Sequence, residues 1–457
     1  MKTQVPVQKN QKYDVEVTDL SYQGLGVAKI DDFPIFVENA LPTELATILV
    51  TKVKKNFAFG KALKIIRQSQ DRVKPIDGAY TQTGIAPLQH LAYPAQLTFK
   101  QHQIQTDFAK MKLDVEVAPT IGMETPYHYR NKAQIPVRML NGRLQTGFYR
   151  KHSHDLVPIE DFYIQDPEID KAVVIVRDIL RKFQITPYDE QTHRGVIRNI
   201  MVRRGHYSHE MMVVLITKSK KLPSQSDLVS EIVEQLPEVK SIVQNINPKA
   251  TNALMGEKNK VLWGKGSITD QLMGLTFEIS PNSFYQVNPI QTEKLYQLAI
   301  QKAQLNKDDT VIDAYCGIGT ISLSLAKVVK KVYGVEIVPE AIEDAKRNAK
   351  LNNITNCRFM VGKAEEQLAK WQKEGLKPDV IVVDPPRKGL AESLIRSVAE
   401  MSPQRLIYVS CNPATLARDA KLFSEHGYQI NQPIQPVDQF PQTVHVESVT
   451  VLERIGK

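Results

Sequence analysis

Three side chains near the C-terminal end have the types and the spacing that covalent catalysis needs. Cys411 follows the segment 384–389 (Asp-Pro-Pro-Arg-Lys-Gly) by 22 residues, and Glu447 follows Cys411 by 36 residues. A cysteine is a strong nucleophile, and a carboxylate can remove a proton once a covalent bond has formed. The pattern therefore predicts Cys411 as a nucleophile, Glu447 as a base and Asp384 as the acidic floor of the same pocket.

A glycine-containing loop upstream has the character of a nucleotide-binding turn. The segment 313–320 reads Asp-Ala-Tyr-Cys-Gly-Ile-Gly-Thr, follows a predicted strand and opens a predicted helix. Glu336 ends the next predicted strand, where a carboxylate can accept hydrogen bonds from both ribose hydroxyls. Ser322 stands where the dinucleotide fingerprint has its third glycine. This disfavours NAD and favours S-adenosylmethionine, while another nucleotide or a purely structural turn stays open.

The C-terminal part of the chain, from about 281 to 457, must position these residues. It alternates between predicted strands and helices, and an uninterrupted apolar run before Asp384 is typical of a central parallel strand. This predicts an α/β fold with a doubly wound, Rossmann-like sheet. Ligands of such sheets lie at the carboxyl ends of the strands, where Asp313, Glu336, Asp384 and Cys411 all fall.

The rest of the chain divides into three predicted parts. Residues 1–67 contain several short alternating runs and predict a small β-barrel. Residues 68–125 predict a helical connection, with helical periodicity over 86–113, and 126–280 predict an α+β region that binds RNA, the alternative being an ordinary accessory domain with exposed arginines. Six Lys and Arg residues crowd the end of the first part, with Phe57 and Phe59 between them. Such interleaving suits single-stranded nucleic acid, whereas the alternative is a barrel with core phenylalanines and solvated lysines.

Composition narrows the class of protein. With 457 residues and 24% charged residues, the chain predicts two or three globular domains. Its net charge of +9 suits a polyanionic partner, and a merely basic, solvated surface is an equal alternative. Its three cysteines form neither a disulfide framework nor a Cys-x-x-Cys metal pair, which indicates a reducing cytoplasm. The sequence predicts no signal peptide, no membrane span and no obligate protein partner.

Two late motifs carry a resemblance to a known family. The segments 384–387 with 410–415 (Ser-Cys-Asn-Pro-Ala-Thr), and 438–447 (Asp-Gln-Phe-Pro-Gln-Thr-Val-His-Val-Glu), are similar to the signatures of the TrmA/RumA-type RNA uracil-5-methyltransferases. The N-terminal barrel resembles a TRAM domain, with an OB-like fold. The resemblance covers nearly the whole chain and implies a class I methyltransferase domain over 281–457.

The resemblance implies a role for each matching residue. Cys411 would attack carbon 6 of a uracil, carbon 5 would accept a methyl group, and Glu447 would remove the carbon-5 proton. Positions that match the family's S-adenosylmethionine contacts are Gln286, Tyr315, Glu336 and Asp384. Thr320 and Lys363 depart from the pattern, so neither is assigned a role.

The substrate predicted from the resemblance is 23S ribosomal RNA, because tRNA relatives resembling TrmA usually lack the barrel. The alternatives are methylation of the T-loop uridine of tRNA and, in a different class, a non-catalytic RNA-binding ribosome-assembly factor. Many relatives hold an iron–sulfur cluster with four cysteines after the barrel. The corresponding stretch, 75–91, contains no cysteine, and a cluster needs thiolate ligands, so we expect neither an iron–sulfur cluster nor another metal.

Overall fold

The computed structural model of the chain describes residues 5–76, 78–251 and 253–455. The first four and last two residues, which the predicted terminal domains include, lie outside this range, as do Asp77 and Asn252. Asp77 belongs to the stretch expected to lack the iron–sulfur cluster. Within the described ranges, no helix combines the length and the apolar character needed to cross a membrane.

Five short strands near the N-terminus close into a barrel. They are β1 (Lys12–Leu20), β2 (Gly26–Ile30), β3 (Phe33–Glu38), β4 (Leu45–Val53) and β5 (Ala58–Arg67). The order around the barrel is β1-β2-β3-β5-β4, and antiparallel pairing of β1 with β4 closes it. Buried and more exposed residues alternate along the strands, because one face of each strand fills the interior. The predicted OB-like barrel is therefore confirmed.

Two helices follow, α1 (Gly78–Gln82) and α2 (Tyr93–Lys110). The apolar periodicity predicted one helix over 86–113, but α2 begins only at Tyr93, with Pro94 in its first turn, where a missing N–H costs nothing. Ile104 and Phe108 of α2 join the core under the C-terminal sheet. This segment therefore packs as part of the C-terminal half.

The central region is a seven-stranded sheet with helices on one face. Its strand order is β12-β11-β10-β9-β6-β7-β8, and helices α3 and α4 pack with β6, β9 and β10 in one core. Met201, Met212 and Val214, on the other face, join the core of the C-terminal half. The elements are β6 (Lys132–Leu140), β7 (Arg143–Tyr149), β8 (Leu156–Pro158), α3 (Pro167–Lys182), β9 (Ile197–Arg204), β10 (Met211–Thr217), α4 (Gln225–Gln235), β11 (Val239–Ile246) and β12 (Lys258–Gly264).

A hairpin connects this sheet to the C-terminal half. It consists of β13 (Ile268–Leu272) and β14 (Leu275–Ile279), and its buried side chains belong to the core of the C-terminal half. The predicted division of the chain placed this hairpin in the central part, 126–280. The position of that boundary stays a prediction.

The C-terminal half contains a mostly parallel eight-stranded sheet in the order β17-β16-β15-β18-β19-β22-β20, with β21 paired to β22. Its fully buried strand β18 has the apolar run expected of a central strand. The predicted α/β fold with a doubly wound, Rossmann-like sheet is confirmed. The elements are α5 (Pro289–Ala303), β15 (Thr310–Ala314), α6 (Thr320–Ala326), β16 (Lys331–Glu336), α7 (Pro339–Leu351), β17 (Cys357–Val361), α8 (Ala364–Lys373), β18 (Val380–Val383), α9 (Glu392–Met401), β19 (Arg405–Ser410), α10 (Pro413–Glu425), β20 (Tyr428–Gln429), β21 (Gln435–Val437) and β22 (Glu447–Arg454).

One segment, residues 438–446, contacts all of these parts, and we call it the junction loop. Asp438 at its start forms an ion pair with Lys100 of α2, and both side chains are fully buried. The Tyr93 hydroxyl donates to the other Asp438 oxygen at 2.9 Å, and Lys100 also donates to the carbonyl of Phe440 at 3.0 Å. The negative charge of the carboxylate and the positive charge of the ammonium therefore compensate each other where solvent cannot reach them.

Further contacts hold the rest of the junction loop. Gln96 of α2 exchanges hydrogen bonds with Gln442, and the Tyr129 hydroxyl, just before β6, donates to the Pro441 carbonyl at 3.0 Å. A Cβ added at Gly24, in the barrel, would lie 3.0 Å from Val444, so the barrel approaches the same loop closely. The loop thus fixes the barrel, α2 and the central region relative to β22.

Replacing Asp438 by Asn should destabilise the protein strongly, because Lys100 would stay buried without a compensating charge. Removing one partner of a buried pair costs about 3–5 kcal/mol of unfolding free energy. Urea unfolding followed by tryptophan fluorescence measures this loss. The matched control is Glu343→Gln, which breaks an ion pair with Lys346 on the surface and should leave the midpoint near that of the wild type. Equal midpoints for both variants would contradict a structural role of the buried pair.

Candidate active site

The carboxyl ends of three adjacent parallel strands meet at one edge of the C-terminal sheet. β15 pairs with β18 and β18 with β19, all in parallel register. Asp313 is the last residue but one of β15, Asp384 directly follows β18, and Cys411 directly follows β19. The sheet therefore places Asp384 at the end of the strand next to β19, and Asp313 one strand further on the same side. This is the edge at which the sequence predicted ligands for a doubly wound sheet.

Antiparallel pairing brings Glu447 to the same place. β19 pairs with β22 so that Ser410 lies opposite Ser448. Continuing this register by one residue puts Cys411 opposite Glu447, at the spacing of neighbouring strands. Glu447 is only 5% exposed. Two residues that are far apart in sequence thus become neighbours through β-sheet register alone.

The backbone around Cys411 is fixed by its neighbours. The Asn412 side chain caps α10 by accepting from the Ala414 N–H, and it donates to the Arg387 carbonyl at 2.8 Å. Gly389 closes the Arg387 loop with a positive φ of 73°, and a Cβ there would lie 2.6 Å from the Asp419 carboxylate. Only glycine fits this turn without displacement, so the loop holds Arg387 beside the cysteine.

Burial and the neighbouring carboxylates set the electrostatics. Burial, together with Glu447 and Asp384, raises the pKa of the Cys411 thiol to about 11, whereas Arg387 lowers it. Burial raises the pKa of Asp384 to about 7, and burial with the charge of Asp384 raises that of Glu447 well above its usual range. A carboxylate with a raised pKa is the stronger base, which suits proton removal.

The glycine loop forms a second group of side chains at the same edge. Glu336 ends β16 and accepts from the N–H groups of Gly317 at 3.3 Å and Val338 at 3.0 Å. Tyr315 is half-buried with a positive φ of 72°, and burial raises its pKa to about 12. The loop therefore curls around the Glu336 carboxylate, and Tyr315 lies next to it.

Gln286 reaches this group from the segment before α5. The Asn131 amide donates to the Gln286 backbone carbonyl at 3.2 Å, and the Gln286 side chain lies close enough to the Tyr296 hydroxyl to influence the pKa of that group. The Tyr296 hydroxyl also lies 3.2 Å from the hydroxyl of Thr320, at the start of α6. Tyr296 therefore connects Gln286 with the glycine loop. Sequence reasoning missed this tyrosine, because its position in an amphipathic helix is typical of core packing.

The residues present fit an adenosine with an attached amino acid. One carboxylate oxygen of buried Asp313 has no described hydrogen-bond partner, although its other oxygen accepts from Ser322. A Cβ at Gly317 would meet nothing within 4 Å, so space lies open beside the loop. Free carboxylate acceptors next to an open glycine turn match ribose hydroxyls and an ammonium group.

A cleft of about 1180 Å³ leads to Cys411 from the surface. Lys52 and Phe59 line it from the barrel, Lys151 from the central region, and Arg387 from the loop that follows β18. Ala58 and Gly60 are buried in the barrel interior, so strand alternation turns Phe59 outward. Phe59 therefore lines the cleft and does not belong to the barrel core, in contrast to the alternative of core phenylalanines.

Phe59 is part of an aromatic group on the outside of the barrel. Its ring centroid lies 5.4 Å from that of Phe57 and 5.9 Å from that of Phe36. In the part of the chain that the structure describes, no three His, Cys, Asp or Glu side chains are arranged to hold a metal ion. The cleft thus presents cations and aromatic faces.

Comparison with known proteins decides the family. A family model described as tRNA (Uracil-5-)-methyltransferase matches residues 92–455, and a TRAM domain model matches residues 6–63. The chain belongs to the tRNA (uracil-5-)-methyltransferase family. The predicted class of enzyme, an S-adenosylmethionine-dependent RNA (uracil-5-)-methyltransferase, is therefore confirmed at the level of the family, and so is the TRAM assignment.

Relatives of this methyltransferase extend over its full length. An "Uncharacterized RNA methyltransferase" of Lactiplantibacillus plantarum is 62% identical and covers 99% of this chain and 100% of its own. One from Enterococcus faecalis is 55% identical, with 98% coverage of both chains. The structure of a Pyrococcus abyssi tRNA (uracil-54, C5)-methyltransferase in complex with S-adenosyl-L-homocysteine superposes with a TM-score of 0.76 at 28% identity, covering 96% of this chain and 99% of that one.

The pKa of Cys411 predicts how fast its thiol reacts in the methyltransferase. Only the thiolate is alkylated by iodoacetamide, so the rate should rise with pH towards about 11. Glu447→Gln removes the negative charge that this carboxylate carries above its raised pKa, so it lowers the pKa of Cys411. It should therefore speed alkylation at alkaline pH below about 11, where part of the thiol is still protonated. Arg387→Gln should slow it. Mass spectrometry of the Cys411 peptide separates this thiol from Cys316 and Cys357. Identical pH profiles for all three proteins would contradict the assignment.

Proposed function

We propose that this protein methylates carbon 5 of a uridine in 23S ribosomal RNA through a covalent bond between Cys411 and carbon 6. The observation that carries the proposal is the sheet register that sets Cys411 opposite the buried Glu447, with Asp384 at the end of the next strand. A nucleophile, a base and a second carboxylate then face one small volume at the inner end of the cleft.

The cofactor side of the site is proposed to consist of Gln286, Tyr315, Glu336 and Asp384. S-adenosylmethionine supplies an electrophilic methyl group on a sulfonium. Glu336 would accept hydrogen bonds from the ribose, because its carboxylate lies beside the glycine loop, held there by the N–H groups of Gly317 and Val338. Asp384 lies between the glycine loop and Cys411 and would orient groups on both sides. These roles rest on the placement of the residues and on the family's matching positions.

The covalent step starts at the cysteine. The Cys411 thiol would release its proton to solvent in the cleft, and its sulfur would bond to carbon 6. The electrons of the carbon 5–carbon 6 double bond would then form a carbon 4–carbon 5 double bond, and those of the carbonyl would move to the oxygen on carbon 4. The ring would become an enolate, and its carbon 5 would bond to the methyl group as the bond between that group and the sulfonium sulfur breaks, with both electrons staying on the sulfur. Arg387 lies close enough to lower the pKa of Cys411, so its cation would stabilise the thiolate and the enolate.

Glu447 completes the reaction. Its carboxylate takes the proton from carbon 5, the electrons re-form the carbon 5–carbon 6 double bond, and the sulfur of Cys411 leaves. Burial raises the pKa of Glu447, so it is a better proton acceptor than an exposed glutamate. The target base must leave its stack to reach this depth, and unstacking is easiest in a single-stranded segment.

The cleft would hold the RNA on both sides of the target. Lys52 and Phe59 of the barrel face Arg387 and Cys411 across it, so one strand can lie on the barrel while its uridine enters the site. The reduced state of Cys411 that the reaction needs fits a cytoplasmic enzyme; all three cysteines are free.

A tRNA T-loop uridine is the second candidate substrate. The Pyrococcus abyssi protein that superposes over 96% of this chain is a tRNA (uracil-54, C5)-methyltransferase. A chain of the same extent therefore serves tRNA in that case, and the barrel alone does not separate the two substrates.

The substrate is tested by transfer of labelled methyl groups from S-adenosylmethionine to unmodified 23S RNA and, in parallel, to unmodified tRNA. We expect label in 5-methyluridine of 23S RNA, and mapping of the base gives the number of sites. Label in tRNA alone would favour the second candidate. Tight binding of both RNAs without any transfer would contradict the proposed reaction.

Glu447→Gln tests the order of the steps. Methyl transfer should still occur, but release of the product should fall by at least about 100-fold, the scale of a lost general base. A methylated RNA–protein adduct should therefore accumulate and survive denaturing electrophoresis. Cys411→Ala is the control, because it cannot form any adduct. Normal turnover of Glu447→Gln would exclude Glu447 as the base.

A further inference from the structure

A second pocket adjoins the catalytic cleft. It has a volume of about 480 Å³, lies between the central sheet and the junction loop, and shares Arg387 and His445 with the cleft. This volume falls within the range of about 300–1,000 Å³ that is typical of ligand pockets. A strand that passes Cys411 could therefore continue into the second pocket without leaving the protein surface.

Three cations line the second pocket: Arg130, Lys132 and Arg387. Among the described residues, its lining contains no Asp or Glu, and none of the three cations forms an ion pair with a carboxylate. Other arginines of the same region are paired: Arg138 with Glu190 and Arg204 with Glu238. The pocket therefore has an uncompensated positive charge, which attracts an anion.

Lys132 is the most enclosed of these cations. In the pairing of β6 with β9 it lies opposite Arg203, whose guanidinium donates to the carbonyls of Ser280 at 3.3 Å and Ser283 at 2.9 Å. Neutral carbonyls do not cancel the charge of Arg203. Burial, then Arg203 and Arg130, lower the pKa of Lys132 to about 7. An enclosed ammonium without a partner costs folding free energy, which a bound anion would offset.

The remaining walls are apolar and aromatic. Phe148 and Phe440 are half-buried and line the pocket, and Phe148 packs edge-on against Phe162 with ring centroids 4.1 Å apart. His445, which lies between the pocket and the cleft, is kept neutral because burial and then Arg387 lower its pKa to about 4. Cations beside aromatic rings are the combination that holds a phosphate together with a stacked base.

We propose that this pocket binds a nucleotide that neighbours the target uridine in the same RNA strand. Its phosphate contacts Lys132 and Arg130, and its base lies against Phe148. The inference rests on the proposed function, because it takes the RNA strand to run from Cys411 past Arg387. Anchoring the neighbour there would hold the strand bent while the target uridine occupies the site, so the pocket contributes to substrate specificity.

The test uses the RNA transcript that the wild-type protein methylates and the variant Lys132→Met, which keeps the length of the side chain but removes its charge. RNA affinity should fall, and the slope of log affinity against log salt should decrease by about 0.7, the value for one lost contact to a single-strand phosphate. Binding of S-adenosyl-L-homocysteine should not change. Lys132→Arg should keep the salt slope.

The matched control is Lys171→Met. Lys171 lies on α3, which packs on the other face of the central sheet, and its side chain is 63% exposed. Removing this charge should leave the salt slope at the wild-type value. If both variants reduce the slope equally, the effect belongs to overall charge and the pocket has no special role.

Single uncharged methylphosphonate linkages, placed in turn around the target uridine, identify the contact. One linkage should lower the affinity of the RNA for the wild-type protein, and the same linkage should not lower the affinity for Lys132→Met any further. If every linkage lowers the RNA affinity of both proteins equally, the pocket holds no phosphate and the inference is overturned. Methylation of the RNA by the wild type would still leave the proposed function intact. If the wild type methylates neither RNA, the proposed function and the inference fall together. If Lys132→Met does not fold, Arg130→Gln takes its place in the same assay, and the same loss of salt slope is expected.

Discussion

The buried ion pair between Lys100 and Asp438 is the interaction on which the rest of the site depends. Because both side chains are fully buried, separating them would leave an uncompensated charge and cost unfolding free energy. The pair therefore holds α2 and the start of the junction loop together. The junction loop leads directly into Glu447, the first residue of β22. This fully buried pair of charges thereby fixes where the proposed base lies, and it ties the region after the barrel to the C-terminal sheet.

The site has two electrostatic sides. Asp313, Asp384 and Glu447 gather at the strand ends, and burial raises the pKa of each of them. The cations Lys132 and Arg387 lie towards the cleft and the second pocket. Proton transfer needs carboxylates of raised pKa in a desolvated place, whereas an RNA backbone needs positive charge. The carboxylates and the cations lie at different places along the proposed course of the RNA strand. One small site can therefore provide both the raised pKa values and the positive charge.

This separation also explains why the protein keeps charges that lower its stability. A half-buried Lys132, which has no ion-pair partner among the described residues, and a cluster of carboxylates around a thiol are each unfavourable in the free protein. The large apolar cores of the central and C-terminal sheets, and the many hydrogen bonds of the junction loop, hold these groups in place. Functional sites commonly contain such locally unfavourable arrangements, supported by the surrounding structure.

The sequence alone determined the α/β class, the barrel and the identity of Cys411, Glu447, Glu336 and Asp384 as candidates, because their motifs are local and strand ends can be read from apolar runs. The tertiary structure decided what lies next to what. That Cys411 faces Glu447 follows from the register of β19 and β22, and that Lys132 meets Arg203 follows from β6 pairing with β9. Pairings between distant segments, and the desolvation that raises or lowers a pKa, arise only when the chain is packed, so no local pattern contains them.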